Sequence, residues 1–590
     1  MKEIMKIKLL ILGLIVLTFT GCKKFLDADP ENLKTVEQMY TDPGYAQGFV
    51  TTAYRVIPGY YNNSSVATDE AVSSNVNDGF TQIATGSWTP SNGAFSVWNQ
   101  SYSALMYINQ FLEESNKVKW ANDDEVSKLF NLRMRGEAFG LRGLYLYFLL
   151  RNHAGFTPDG QLMGVPIVTK FLEVSSADFN QPRATFDACV KQIYLDLDSA
   201  EFYLPMEYVD IANASQIPAQ FATITQNPAV YNRAMGQLHR QLFNGLIAKS
   251  FRARTALLAA SKAFQSPTNT ATWEQAANAA AAVIRYKGGA NALPAGGHTF
   301  YDNRTDIDGI SEGINPSEII WRENRQTNNS DRELQNFPPS LFGNGLINPT
   351  QNLVESFPMA NGYPINNSNA AFNIDNPYSG RDPRLRSYIM YNGHPDLANF
   401  RTGSQSGSID GINVRTNSTR TGYYMRKLLR WDVSLTPGAV LGRNRYTPRI
   451  RYTEMYLAYA EAANEAWGPK GTGPNSFSAY DVIKAIRTRA GVGTTNNHAY
   501  LEECAADKIK MGELIKNERR LELCFEGFRF WDLRRWKENL NETARGMDVN
   551  GTVYTPITVE TRSYQDHMYY GPIPNSEVLK YNKLVQNANW

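Results

Sequence analysis

Apolar residues recur at three- and four-residue spacing through most of the first half of the chain and again in its last quarter. Trp98, Tyr102, Leu105, Ile108, Asn109 and Leu112 form one such stripe, the mark of a helix buried along one face. A longer stripe runs through Val126, Leu129, Leu132, Leu141, Leu144, Tyr145 and Phe148, and Asp123 or Asp124 just before it can cap the N-terminus. The same spacing predicts helices over 186–203, 237–264 and 273–286, and then over 446–467, 480–489 and 507–523. Upstream, 36–57 carries Met39, Phe49, Val50, Ala53 and Tyr54 with Pro43 and Gly44 in between, which predicts one broken helix. The segments follow one another as antiparallel pairs, so the expected fold is mainly α with tetratricopeptide-like helix packing. No Trp-Leu-Gly and Pro signature of that repeat recurs at a fixed period.

The periodicity fails in two places. From 288 to 447 the chain is rich in Asn, Gly, Pro, Ser and Asp, with brief extended runs at Glu318–Trp321 and Tyr423–Lys427, the pattern of loops with a few short strands. From 59 to 94 a second loop-rich stretch holds Asp69, Glu70, Asn75, Asn77, Asp78, Phe80, Gln82 and Trp88. Loops this long are usually functional. Helices supply a scaffold, and binding is expected on the loops.

The N-terminus reads as an address rather than as part of the fold. A positive stretch with Lys2, Lys6 and Lys8 is followed by an apolar run from Leu9 to Leu17 and then by Thr18-Phe-Thr-Gly-Cys22, too short to span a bilayer comfortably and ending like a cleavage site. Small residues before a cysteine resemble a bacterial lipobox, with Phe19 departing from the usual Leu. Residues 1–21 are therefore expected to be a lipoprotein signal peptide, Cys22 the acylated anchor, 22–35 a tether, and 36–590 a single domain. Within that domain, 36–287 is a helical scaffold, 288–447 the loop-rich part, and 448–590 the C-terminal helices and tail.

Charge and composition then remove whole classes of function. Losing the signal segment takes three lysines and one glutamate from the 59 basic and 57 acidic residues, which leaves the mature chain without net charge. A protein that tracks phosphates needs a local basic excess, so nucleic acid is not an expected partner. Hydrophobic residues at 42% exclude wholesale disorder, and the single long apolar run leaves no bundle of spanning helices. Motifs for nucleotide loops, zinc proteases and redox cysteine pairs are missing. Gly403-Ser-Gln-Ser-Gly407 has Gln where a nucleophile elbow needs Ser. The six histidines never fall three to five apart. Asp302, Asp306 and Asp308 with Gly309 faintly suggest a calcium loop that lacks its closing Glu. No cofactor or metal is expected, while the many carboxylates leave a glycosidase pair open. Cys189, Cys504 and Cys524 read as small buried residues rather than a disulfide framework.

The densest charge pattern lies between Ile515 and Trp536. Placed on one helix, Glu518, Glu522 and Glu526 align at i, i+4, with Arg519, Arg529, Asp532 and Arg535 at neighbouring offsets. Flanking arginines hold carboxylates ionised, whereas a general acid needs a raised pKa. The expectation is a partly buried Arg–Glu network that locks a turn at Gly527.

That run, Asn517-Glu-Arg-Arg-Leu-Glu-Leu-Cys-Phe-Glu-Gly-Phe-Arg-Phe-Trp-Asp-Leu-Arg-Arg-Trp536, closely resembles the C-terminal signature of the SusD/RagB family of outer-membrane nutrient-binding lipoproteins. Other family motifs follow in order: Trp98 to Asn109, Gly136-Glu-Ala-Phe-Gly-Leu-Arg142 with Tyr145 to Leu149, Gly164-Val-Pro-Ile-Val168, Gly380-Arg-Asp-Pro-Arg-Leu385, Arg451 to Ala462, Ile486-Arg-Thr-Arg-Ala-Gly491, and Pro572-Ile-Pro-Asn-Ser-Glu577 with Gln586-Asn587. Gly143 in place of the usual Ala, the longer 152–163 segment and the Asn589-Trp590 ending are mild departures.

The resemblance implies a SusD-like fold and no catalysis. It implies a lipid-anchored lid at the cell surface of Bacteroidota, over a SusC-like TonB-dependent outer-membrane transporter, which captures oligosaccharides for import. The alternatives are a peptide-binding lid of the RagB type and a surface glycoside hydrolase. Because sugars offer C–H faces to aromatic rings and hydroxyls to amides and carboxylates, the expected ligand-binding residues are Asp69, Asn75, Asp78, Phe80, Gln82 and Trp88 in the first loop, and Phe300, Tyr301, Arg304 and Arg325 in the central loops. Trp98, Trp321, Trp531 and Trp536 are expected in the core.

Overall fold

A computed structural model describes residues 34–59, 62–173, 179–311, 313–395 and 403–590. The signal segment and Cys22 lie outside the described residues, as does most of the tether.

The helical scaffold follows the apolar periodicity closely. Helix α1 is Pro43–Arg55, α2 Trp98–Glu114, α3 Asp124–His153, α4 Phe186–Tyr203, α5 Gly245–Ala260 and α6 Trp273–Lys287. Each packs on the next in sequence, and α6 then lies against α7, Tyr452–Trp467, which also contacts α8, Ala479–Ala490, and α9, Lys508–Leu523. Asp123 caps α3 by accepting a hydrogen bond from Val126 N at 2.9 Å. Gly136 and Gly140 let α3 pack closely against the segments that follow α4 and precede α5: a Cβ on Gly140 would sit 2.3 Å from the Phe243 ring, and one on Gly136 2.5 Å from Leu204.

Three expected helices are corrected. Pro43 and Gly44 do not interrupt a helix; they begin α1, with Asp42 Oδ1 accepting from Tyr45 N at 2.9 Å, and Val36–Tyr40 is a separate 3-10 turn. The 237–264 stripe is a true helix only over α5, where Asn244 caps Ile247 N at 3.0 Å. The 446–467 stripe loses its first turn to a strand, since Pro448 has no N–H to give a helix interior. That strand, β4 (Pro448–Arg451), pairs antiparallel with β2 (Ile319–Arg322). Likewise β1 (Ala71–Ser73) pairs with β3 (Ile347–Pro349), and β5 (Ala544–Asn550) with β6 (Val553–Glu560). Short two-stranded ladders such as these staple the loops onto the helices.

The charged run at 515–536 breaks at the expected turn. Helix α9 ends at Leu523, a turn follows with Phe525 at φ 61° and Gly527 at φ 82°, and α10 occupies Arg529–Trp536. Glu518 and Glu522 therefore project from α9 while Glu526 sits in the turn, and a balanced ionic cluster forms around them. Arg384 reaches Asp382 at 2.7 Å, Glu518 at 2.9 Å and Glu522 at 3.1 Å. Arg487 pairs with Glu518 at 2.8 Å and Arg489 with Glu522 at 2.9 Å. Arg451 joins Glu318 at 2.9 Å to Glu526 at 2.8 Å, and Lys427 pairs with Glu526 at 2.6 Å. These five cations and five carboxylates have side chains at most 4% exposed. A second knot sets Arg519 and Arg535 on Asp532, each at 2.8 Å, with Arg535 also on Glu461. Buried charges on this scale require pairing, and the equal numbers supply it. Burial alone would raise the Glu522 carboxyl; Arg489, Arg384 and Arg451 instead hold it well below the usual carboxylate range.

Cys189, Cys504 and Cys524 are free and buried. Trp98, Trp321 and Trp536 are in the core, whereas Trp531 is half-buried, with the Arg151 guanidinium 4.2 Å from its ring centroid.

Candidate functional site

Helix α9 divides its faces. Met511, Leu514, Ile515, Glu518, Leu521 and Glu522 are buried, and Glu513, Lys516, Asn517 and Arg520, at i, i+3, i+4 and i+7, form the wall of an open cleft. The opposite walls come from 352–366 and from 538–545. The cleft has two lobes of about 340 and 550 Å³ that share Asn352, Glu513, Asn517 and Arg520.

The smaller lobe is polar and charge-balanced. At its floor Asp69 accepts from Arg529 Nε at 2.9 Å and Nη2 at 2.8 Å, and from Arg520 Nη2 at 2.9 Å. Burial would raise the Asp69 carboxyl, but the two guanidinium groups hold it well below the usual range. Lys516 pairs with Glu538 at 2.7 Å, and Arg545 with Glu355 at 2.5 Å. Each cation lining this lobe thus has a carboxylate partner, while Asn539 and Glu542 are exposed on its rim. The larger lobe adds Pro358, Pro364, Ile365 and the half-buried ring of Tyr500 to Asn352, Asn366 and Asn517. An aromatic edge beside amides, with charges already neutralised, suits an uncharged ligand rich in hydroxyls.

The residues expected from sequence fall in other places. Asp69 is in the cleft, but as the anchor of two arginines, 8% exposed. Trp88 is a packed residue, 3% exposed, against Phe95, Phe530 and Trp590, so its faces are covered and it is not an open stacking platform. Phe80 joins the same cluster through Phe95, with centroids 4.9 Å apart. Phe300 and Tyr301 are likewise core residues, 4% and 8% exposed, beneath Tyr446 and Tyr388; a long loop needs apolar packing under it, and they provide it. Asp78 caps a short helix by accepting from Phe80 N at 2.9 Å, and exposed Asn75 accepts from Asn77 N at 3.0 Å. Gln82 is half-buried beside them. Arg304 and Arg325 are exposed elsewhere: Arg325 donates to Asp308 O at 3.1 Å and Arg304 lies 3.8 Å from Asp432. Asp308 itself pairs with Arg430 at 2.9 Å, and among the described residues no three His, Cys, Asp or Glu side chains gather as a metal site.

Sequence reasoning missed Asn352, Glu355, Tyr500, Asn517, Asn539, Glu542 and Arg545. The polar i, i+3, i+4, i+7 face of α9 was the one visible signal; the other walls are brought in by the chain's path at 352–366 and, past α10, at 538–545.

Glu70 sits beside this floor but is not part of the lining. It is 2% exposed, its Oε1 has no hydrogen-bond partner among the described residues, and Phe525 N approaches Oε2 at 3.4 Å. Burial raises its pKa to about 7 against the pull of Arg529 and Arg520.

Comparison with known proteins agrees with this architecture. The profile described as the SusD family matches residues 317–590, and one described as "Starch-binding associating with outer membrane" matches 24–226. The SusD-like protein P2 of Formosa agariphila is 27% identical over 144 residues, which span only 24% of this chain and 25% of that protein. Among solved structures, a SusD-like protein of Bacteroides fragilis superposes with a TM-score of 0.69 at 20% identity, covering 94% of this chain and 98% of its own. A SusD-like carbohydrate-binding protein of the same species gives 0.64 at 22%, covering 92% and 99%. With SusD-family profiles matching residues 24–226 and 317–590, the chain belongs to the SusD/RagB family.

Proposed function

We propose that this protein is a non-catalytic, nutrient-binding lipoprotein of the outer-membrane surface that captures oligosaccharide in the α9 cleft and passes it to a SusC-like TonB-dependent transporter. The observation that carries the reading is the cleft itself: two joined lobes of about 340 and 550 Å³, lined by amide and carboxylate groups, with Tyr500 in the larger. A relative of the same fold is a carbohydrate-binding protein, and the profile over 24–226 carries an outer-membrane description; both support the assignment. Attachment is assigned to Cys22, at the end of the lipobox-like run Thr18–Cys22. The one carboxyl near the cleft with a raised pKa, Glu70, is buried outside the lining, which disfavours a hydrolase that would use it as general acid.

Titration calorimetry against a panel of oligosaccharides and peptides tests the capture step. Tyr500→Ala and Asn517→Ala are each expected to weaken oligosaccharide binding by about 1–3 kcal/mol, tenfold or more in Kd. Unchanged affinity in both variants rejects the cleft, and binding confined to peptides converts the reading to the RagB type. Labelling with an alkyne fatty acid is expected to tag the parent and not Cys22→Ala; equal tagging rejects the anchor.

A further inference from the structure

The C-terminal end of α3, the loop from Trp88 to Ser96 and the segment Pro572 to Ser576 enclose a second cavity, of about 260 Å³, that shares no lining residue with the α9 cleft. Its walls are fastened to one another. Asn575 N donates to Pro90 O at 3.0 Å, Asn152 Nδ2 donates to Phe95 O, and Asn587 Nδ2 donates to His153 O at 3.1 Å and to Gly571 O at 2.7 Å. The cavity is therefore preformed.

One wall presents an unused donor. The faces of Trp88 are taken by Phe95, Phe530, Trp590 and the Arg534 guanidinium, but its Nε1 edge lies beside Gly93, where a Cβ would sit 3.7 Å from the nitrogen. No acceptor among the described residues takes the Nε1–H, although buried indoles usually find a partner. The remaining polar lining is the hydroxyls of Ser91, Ser96 and Ser576 with Asn152, and the apolar lining is Pro90, Phe95, Pro572 and Pro574. His153 is the one titratable lining group. Its Nδ1 is held 2.7 Å from Pro572 O, and burial lowers its pKa to about 4, so it is neutral at physiological pH. Among the described residues no charged side chain lines the cavity, and the nearby Arg534 guanidinium is packed on the Trp88 ring, 5.1 Å from its centroid. The volume, just under the usual range for ligand pockets, suits a single ring better than a chain.

We propose that this cavity is a second binding site, for one neutral, polyhydroxylated ring of hexose size, with the Trp88 indole N–H as its central donor. It goes beyond the cleft assignment and stands or falls separately from it.

The test follows the indole N–H resonances of ¹⁵N-tryptophan-labelled protein, with the Trp88 signal assigned by its loss in Trp88→Phe. D-glucose, D-galactose and D-mannose are titrated into the full chain, with D-glucuronate as the anionic control. At least one neutral hexose is expected to shift the Trp88 signal saturably, and glucuronate is expected to bind at least tenfold more weakly. Gly93→Leu covers the nitrogen from an exposed loop position that has no left-handed φ and is expected to lower hexose affinity tenfold or more at an unchanged Tm. Ser576→Trp fills the cavity from the opposite side and is expected to do the same. The proposal is overturned if no neutral hexose moves the Trp88 signal, if glucuronate binds as well as the hexoses, or if both filling variants bind like the parent. Persistence of the shift in Tyr500→Ala supports this cavity, and its disappearance there places the sugar in the cleft and overturns the assignment.

Discussion

Glu522→Gln is expected to destabilise the protein by about 3–5 kcal/mol, the range for breaking a buried ion pair by removing one partner. Glu522 faces Arg384 at 3.1 Å, Arg489 at 2.9 Å and Arg451 at 3.9 Å, and none of these side chains is more than 4% exposed. Removing the one negative charge leaves five buried cations facing four carboxylates, and the uncompensated guanidinium cannot shed its proton in the accessible pH range. The amide keeps the shape, so the loss is electrostatic rather than a cavity. Glu513→Gln, on the exposed face of the same helix, is the control, expected to change stability by less than about 1 kcal/mol. Urea midpoints of parent and both variants, with ligand titrations of the folded forms, decide the matter. A large affinity loss at unchanged midpoint would move Glu522 from scaffold to site.

The second large effect depends on pH. Glu70 has a folded-state pKa of about 7 against an ordinary value of 4.5, so the native state holds this proton more tightly than the unfolded chain does. Stability from that proton is fully present below about pH 4.5 and is lost as the pH rises through 7. Glu70→Gln cannot titrate. The variant should therefore gain on the order of 2–3 kcal/mol relative to the parent between pH 5 and pH 8. Glu137, also raised to about 7 by burial, is present in both proteins and cancels in the difference. Urea midpoints at the two pH values provide the check; a difference that stays flat shows that Glu70 is ionised in the native state throughout.

Periodic segments were legible because a helix buried on one face writes its spacing into the chain. Helices α2, α3, α4 and α6 coincide with their stripes almost residue for residue, and capping residues such as Asp123 mark their starts. Reading failed where two signals overlapped. The 446–467 stripe is continuous in hydrophobicity, yet its first residues pair with β2 because Pro448 cannot join a helix. Glu526 keeps the helical offset from Glu518 and Glu522, yet α9 ends at Leu523 and Glu526 falls in the turn between Phe525 and Gly527.

The candidate site was less legible, and the reason is geometric. Aromatic residues in a long loop look available for stacking, but such a loop also needs packing beneath it, and composition does not separate the two roles. Trp88, Phe300 and Tyr301 turned out to serve the second. The α9 cleft joins residues from 352–366, α9 and 538–545 with Asp69 and Tyr500, and no local pattern encodes a wall shared by distant segments. The sequence by itself determined the helical scaffold, its family signature and the need for paired charges around Glu518, Glu522 and Glu526, because local spacing and the cost of burying a charge are properties of the chain. Only the tertiary structure decided which partners neutralise those charges, which aromatic faces are covered and where a cleft stays open, because each depends on contacts between separate elements of the fold, from Arg487 with Glu518 to Arg529 with Asp69.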